Sequence, residues 1–271
     1  MTAWLSVQRG DAPLIVSIPH AGTAIPAKIE AQLVSPWLAR ADADWYVNYL
    51  YSFAHDLGAT VIATAISRSV IDVNRDPGGR SLYPGQATTG LCPTTTFDGV
   101  SLYKGAEPDA EEIAARRLAF FDPYHAAIGA EVARLRAMHP RIVLYDAHAI
   151  RSHVPRLFDG ALPVFNIGTN SGASCDPHLS ARVEAMCKSS AWPTVVDGRF
   201  KGGWITRRYG RPAEGVHAIQ MELAMRAYLR EPREITEGNW PPPYIDEVAA
   251  LIRPNLANVL RRCLGFAKES S

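Results

Sequence analysis

The sequence has little charge of either sign to spare. Its 28 basic and 27 acidic residues leave a formal net charge of +1, so no field favours nucleic acid or an anionic membrane. It has no run of about 18 apolar residues, so no membrane-spanning helix is expected. Met1 to Ser6 lacks a charged segment followed by an apolar one, so no signal peptide is expected either. The four cysteines, Cys92, Cys175, Cys187 and Cys263, are scattered and form no Cys-x-x-Cys pair. Reduced thiols in a cytoplasmic protein are the expectation. Also missing are a Gly-x-Gly-x-x-Gly turn, a phosphate loop, a His-Glu-x-x-His helix and a Gly-x-Ser-x-Gly elbow. Their absence argues against nucleotide chemistry, the helix-borne zinc site and the serine hydrolase elbow.

What remains is a chain of 271 residues, 47% hydrophobic and 20% charged. That is an ordinary globular composition, long enough for one large α/β domain. Strand-like and helix-like segments alternate, which predicts an α/β fold with a mainly parallel or mixed sheet flanked by helices, read as a single domain over residues 1–271. Strands are expected at residues 14–18, 60–65, 69–73, 142–145, 162–167, 194–196 and 216–221. Helices are expected at residues 42–57, 109–138 with a kink at Pro123, 178–187, 222–230 and 245–266. Residues 74–105 are rich in Gly, Pro and Thr and predict a long active-site loop or a linker. Residues 200–207 predict a loop or hairpin.

Two apolar strands end in histidine. Leu14-Ile15-Val16-Ser17-Ile18-Pro19 runs into His20, and Ile142-Val143-Leu144-Tyr145 runs through Asp146 to His148. Groups at the C-terminal ends of such strands carry the chemistry of open α/β sheets. If the two strands are neighbours, the histidines meet and suggest a metal site, which needs about three protein ligands and one open position. Asp44 or Asp42 is the expected third ligand. Asp146, two residues before His148 on the same strand face, is placed to orient that histidine. Glu222, expected at or just past a late strand's end, suits a general base and acid. Arg68, Arg75, Arg151, Arg199 and Arg207 offer forks for a carboxylate, with Arg75, beside Asn74, and Arg151 favoured. Ser17, Ser67, Ser152 and Cys175 are weaker nucleophile candidates.

Several segments then stand together in one order: Ser17-Ile18-Pro19-His20-Ala21-Gly22, Asp42-Ala43-Asp44-Trp45, Asp72-Val73-Asn74-Arg75-Asp76, Tyr83-Pro84-Gly85-Gln86, Asp122-Pro123-Tyr124-His125, Asp146-Ala147-His148, Gly198-Arg199-Phe200-Lys201-Gly202-Gly203 and Gln220-Met221-Glu222-Leu223. In these segments, over about residues 14–231, the chain resembles the N-formylglutamate amidohydrolase family. The resemblance implies a zinc-carboxypeptidase-like fold and hydrolysis of N-formyl-L-glutamate, a small-molecule substrate, as the last step of a histidine-degradation route. It implies a divalent metal, zinc above others, on His20, His148 and Asp44, with Glu222 catalytic. It implies that Asn74 and Arg75 hold a substrate carboxylate; by residue type and position, Arg68, Arg151 and Arg207 are expected as further substrate contacts. His and carboxylate donors also suit cobalt, manganese or iron. The family usually reads Asp-Ala-His-Ser-Ile, whereas this chain has Ala149, so a hydroxyl beside His148 is missing. A related hydrolase of another N-acyl amino acid, and a non-catalytic carboxylate-binding module, are the alternatives.

Overall fold

The computed structural model describes residues 4–269. Residues 1–3, part of the segment read for a leader, lie outside it. Seven strands form one mixed sheet in the order β1-β3-β2-β4-β7-β5-β6. Their ranges are β1 Leu5–Gln8, β2 Leu14–Ile18, β3 Thr60–Thr64, β4 Ile142–Ile150, β5 Phe165–Gly168, β6 Thr194–Val196 and β7 Val216–Ala224. β3, β2, β4 and β7 run parallel. β1 is antiparallel to β3, and β5 is antiparallel to β7. The two histidine-bearing strands, β2 and β4, are therefore neighbours. Among the described residues, no helix is long and apolar enough to cross a membrane.

β4 and β7 are buried on both faces over all nine residues each, which is why their sequences read as near-continuous apolar runs. Their side chains alternate between two layers. Val143, Tyr145, Ala147, Ala149, Ile219, Met221 and Leu223 face one layer with the helices Pro177–Lys188 and Arg253–Lys268. Ile142, Leu144, Val216 and Ala218 face the other, against Phe121, Tyr124, Ile128 and Leu135. Further along that second face the side chains are Asp146 and then His148 on β4, and Gln220 and then Glu222 on β7. One face of the same two strands thus starts as hydrophobic core and ends as a polar site.

Several sequence expectations need correction. Residues 69–73 form turns, not a strand; Asp72 N donates to Leu91 O instead of to a ladder. Residues 42–57 hold only a turn of α-helix at Val47–Leu50 and a 3-10 segment at Ser52–Leu57. Tyr46, in the left-handed region at φ 62°, prevents an earlier start. Residues 200–207 are not a hairpin: Trp204–Tyr209 is helical. β7 continues to Ala224, so Glu222 sits inside the strand, and only Met225–Ala227 turns helical after it. The 109–138 helix is interrupted before Pro123, by a π-helical stretch at Arg117–Phe121. Pro123 itself falls in the first turn of Asp122–Met138, where it has no helical partner to lose. The C-terminal helix is split into Asp246–Ala249 and Arg253–Lys268.

His125 ties this frame together. Its Nε2 lies 2.8 Å from Val73 O and its Nδ1 lies 3.0 Å from Tyr209 Oη. A carbonyl only accepts, so Nε2 carries a proton. Burial depresses its pKa from 6.5 to about 4. A folded pKa below the unfolded one stabilises at high pH, and that stability is lost as pH falls from about 6.5 to about 4. Denaturant titrations are expected to show a loss on the order of 3 kcal/mol across that window, with a shallower slope in His125→Gln. Equal slopes would rule out this coupling.

Candidate active site

His20 follows β2, and its carbonyl accepts the amide of Asp44 at 3.0 Å. This single backbone bond brings the 41–46 segment to the strand end. His148 enters from β4. The ligand atoms offered by His20, Asp44 and His148 lie within 4.8 Å of one another, and all three residues are buried. His20 Nδ1 stands 3.7 Å from Asp44 Oδ2, and His148 Nδ1 stands 3.0 Å from the same oxygen. The far nitrogens are held by other carboxylates. His20 Nε2 is 2.7 Å from Asp72 Oδ1, and His148 Nε2 is 2.9 Å from Asp146 Oδ2. Ionised carboxylates only accept, so both Nε2 atoms carry the protons. His20 Nδ1 is then a buried lone pair with no hydrogen-bond partner among the described residues. Two imidazole nitrogens and one carboxylate oxygen, each imidazole backed by a second carboxylate, make a donor set that fits a divalent cation.

The electrostatics support the same reading. Burial alone would raise Asp44, but His20 and His148 outweigh it and hold the carboxyl well below the usual range. Asp72 behaves alike, with His20, Arg75 and Arg68 outweighing burial. Burial disfavours the His148 imidazolium, yet Asp146 and Asp44 hold its pKa well above the ordinary value. A cation held between these groups would take the place of that proton. Arg68 balances the acids: its Nη2 donates to Asp72 Oδ2 at 2.7 Å and its Nη1 to Asp44 Oδ1 at 3.4 Å.

Asn74 is buried beside the cluster. Its Nδ2 donates to Asp146 Oδ2 at 2.9 Å and lies 2.9 Å from His148 Nε2, while its Oδ1 accepts from Ile205 N at 2.7 Å. Gly203 makes this possible, since a Cβ there would fall 2.4 Å from Asn74 Nδ2. The Asn74 amide therefore spans the acid-histidine pair and the helix Trp204–Tyr209.

The cluster opens into a cavity. His20, His148, Asn74, Arg68, Arg75, Arg199, Gln220 and Glu222 line it, with Tyr83, Phe97, Leu157 and Phe200 as apolar walls. Glu222 pairs with His148 across the β4–β7 ladder, so both project to one face. Burial pushes Glu222 up to about 8; His148 and Arg68 pull it down, while Asp44 and Asp146 push it up. Gln220 Nε2 donates to Glu222 Oε2 at 3.3 Å.

The structure brings His20, His148, Glu222, Asn74, Arg75 and Arg68 to this cavity, with Asp44 buried beside the two histidines, and leaves two expected residues out. Arg151 turns away to Asp98 and Asp42, at 2.6 and 3.4 Å. Arg207 donates to Gly202 O at 3.0 Å and lies over the Tyr83 ring. Asp42, the alternative ligand, accepts from Phe97 N at 2.6 Å and has no contact with either histidine. Ser17, Ser67, Ser152 and Cys175 do not line the cavity, and burial pushes the Cys175 thiol up to about 12. Ala149 contributes through its backbone, N to Asp44 Oδ2 at 3.2 Å, while its methyl packs into the opposite apolar layer. A serine hydroxyl there would face away from His148. Asp72 escaped sequence reasoning because residues 69–73 look like a strand. Arg199 was visible only as one of several loop arginines.

Comparison with known proteins agrees with this geometry. Residues 12–229 match the family model for N-formylglutamate amidohydrolase. The chain is 46% identical over 267 residues to the N-formylglutamate deformylase of Pseudomonas aeruginosa, covering 98% of this chain and 97% of that one. It is 43% identical, with the same coverage, to the N-formylglutamate deformylase of Pseudomonas putida. In fold it is similar to the crystal structure of N-formylglutamate amidohydrolase from Ralstonia eutropha JMP134, at a TM-score of 0.79, 24% identity and 98% coverage of both chains. A seven-stranded mixed sheet that delivers two histidines, an aspartate and a buried glutamate to one cavity, in a chain matched over nearly its whole length, belongs to the N-formylglutamate amidohydrolase family.

Proposed function

We propose that this chain is one catalytic domain that hydrolyses N-formyl-L-glutamate to formate and L-glutamate with a divalent metal, zinc above others. The observation that carries the reading is the convergence of His20 Nδ1, His148 Nδ1 and Asp44 Oδ2 at the wall of the cavity that Glu222 lines. A cation held by those three residues would supply Lewis-acid polarisation of the formyl carbonyl. Asp72 and Asp146 fix the tautomers of the two histidines, and Asn74 steadies Asp146. Glu222 takes the proton of the attacking water and delivers it to the leaving nitrogen. Its burial keeps its proton affinity suited to both transfers. Arg75, fixed by Thr89 at 3.0 and 3.1 Å and lying 3.6 Å from Asp72, receives the α-carboxylate. Tyr83, Phe97 and Phe200 exclude bulk water. The reaction would stand last in a histidine-degradation route, and four free, buried cysteines suit a reducing cytoplasm.

The test is formate release from N-formyl-L-glutamate by purified protein as isolated, after chelation, and after zinc is restored. Activity lost to chelation and regained with zinc is expected. A metal-loaded enzyme that releases no formate from this substrate, yet cleaves another N-acyl amino acid, would sink the assignment.

A further inference from the structure

The cavity holds three arginines, and they differ in their counter-charges. Arg68 is committed to Asp44 and Asp72. Arg75 lies 3.6 Å from Asp72. Arg199 has no acidic partner within 4 Å among the described residues. It is half-buried, and burial with the nearby charge of Arg75 outweighs Tyr83 and Glu222 and lowers its proton affinity. A cation withdrawn from water without an anion is unfavourable unless something else supplies the anion.

The position of the guanidinium is nonetheless tightly set. Its Nε donates to Leu157 O at 2.8 Å and its Nη2 to Ala87 O at 2.7 Å. The Tyr83 and Phe200 rings both lie near it, with centroids 5.3 Å from its central carbon. Such contacts hold the planar group in place without neutralising it. Nη1 has no protein partner among the described residues, and Arg199 lines the cavity. The structure therefore fixes a guanidinium in the cavity wall and leaves its charge unmatched.

We infer that Arg199 is the receptor for the side-chain carboxylate of the substrate and the residue that selects a dicarboxylic amino acid over a neutral one. This rests on the reading of the site as a glutamate amide hydrolase. Of the two cavity arginines left for substrate, Arg75 contacts Asp72, the partner of His20, so it lies on the metal side. Arg199 makes no hydrogen bond to any residue of the metal cluster and hangs from Leu157 and Ala87 on the outer wall. A carboxylate next to the scissile nitrogen meets Arg75, and one at the far end of the side chain meets Arg199. The pairing would be charge-assisted in a partly dry pocket, and a neutral amide in its place leaves the guanidinium unmatched.

The experiment compares N-formyl-L-glutamate with its neutral isostere N-formyl-L-glutamine, using metal-loaded wild type, Arg199→Met and Arg199→Lys. Wild type is expected to prefer the dicarboxylate, and Arg199→Met to lose roughly 30-fold or more of kcat/KM on it, mainly through KM. The same variant is expected to lose far less on the amide, so the preference collapses; Arg199→Lys should retain part of it. A merely structural role would lower both substrates alike, which overturns the inference, as does a preference that survives in Arg199→Met. Where Arg199→Met does not fold, Arg199→Lys carries the comparison. Should wild type cleave neither formyl compound, the proposed reaction fails, and calorimetric binding of L-glutamate against L-glutamine takes over. Equal binding by wild type, or binding of neither, then overturns the role of Arg199 as well.

Discussion

Glu222→Gln is expected to lower kcat by about 100-fold or more, the usual contribution of a general acid–base group. Gln keeps the shape and loses only the ability to take a proton. Metal content should not change, because Glu222 lies outside the His20, Asp44 and His148 set. The pH profile gives the sharper test. A base works as the carboxylate, so activity rises as pH climbs through the pKa of Glu222. Burial places that pKa near 8 without metal, and an added cation beside His148 favours the carboxylate and moves it down. The acid limb of the loaded enzyme is thus expected between the ordinary 4.5 and about 8, and it should vanish from whatever activity Glu222→Gln retains. Retention of activity within about tenfold of wild type would take the proton-transfer role away from Glu222.

The second large effect concerns the metal itself. Asp44→Asn should leave the purified protein without bound metal after dialysis, a loss larger than the 10- to 100-fold typical of partners that only orient a ligand. The amide keeps the contact with Arg68 but offers a neutral oxygen between two imidazoles. Asp72→Asn should fall within that 10- to 100-fold range, since it orients His20 through Nε2 without facing the other two donors. Asp42→Asn should keep its metal, because its carboxylate is spent on Phe97 N and Arg151. Elemental analysis of the three variants checks the order. Metal retained by Asp44→Asn and lost by Asp42→Asn would reverse the assignment of the ligand.

The parts of this site carried by long, buried strands are legible in the sequence. β2 and β4 announce themselves as apolar runs, and the histidines at or near their ends follow from that. The gap between His20 and Asp44 does not show whether Asp42 or Asp44 turns inward. That depends on one backbone bond, Asp44 N to His20 O. Asp72 is hidden for a similar reason: its neighbours Val70, Ile71 and Val73 are β-branched and buried, yet they pack under a turn. β1 is short, with only alternate residues partly buried, so its pattern is too weak to read. The helix Trp204–Tyr209 is masked by Gly202 and Gly203; Gly203 serves the close approach to Asn74, and Gly202 lies in the positive-φ region against Thr206. Arg151 and Arg207 show the limit of arguing from residue type. A loop arginine finds the nearest acid, carbonyl or ring, and sequence does not reveal which.

The alternating faces of β4 and β7 make the chemistry a matter of registration. Gln220 and Glu222 stand beside Asp146 and His148, while Met221 and Leu223 belong to the apolar layer. A slip of β7 by one residue would turn Met221 and Leu223 toward the metal and drive two polar groups into the oil. The alignment that buries the core also sets these four polar side chains side by side, so strand registration and site assembly are one event.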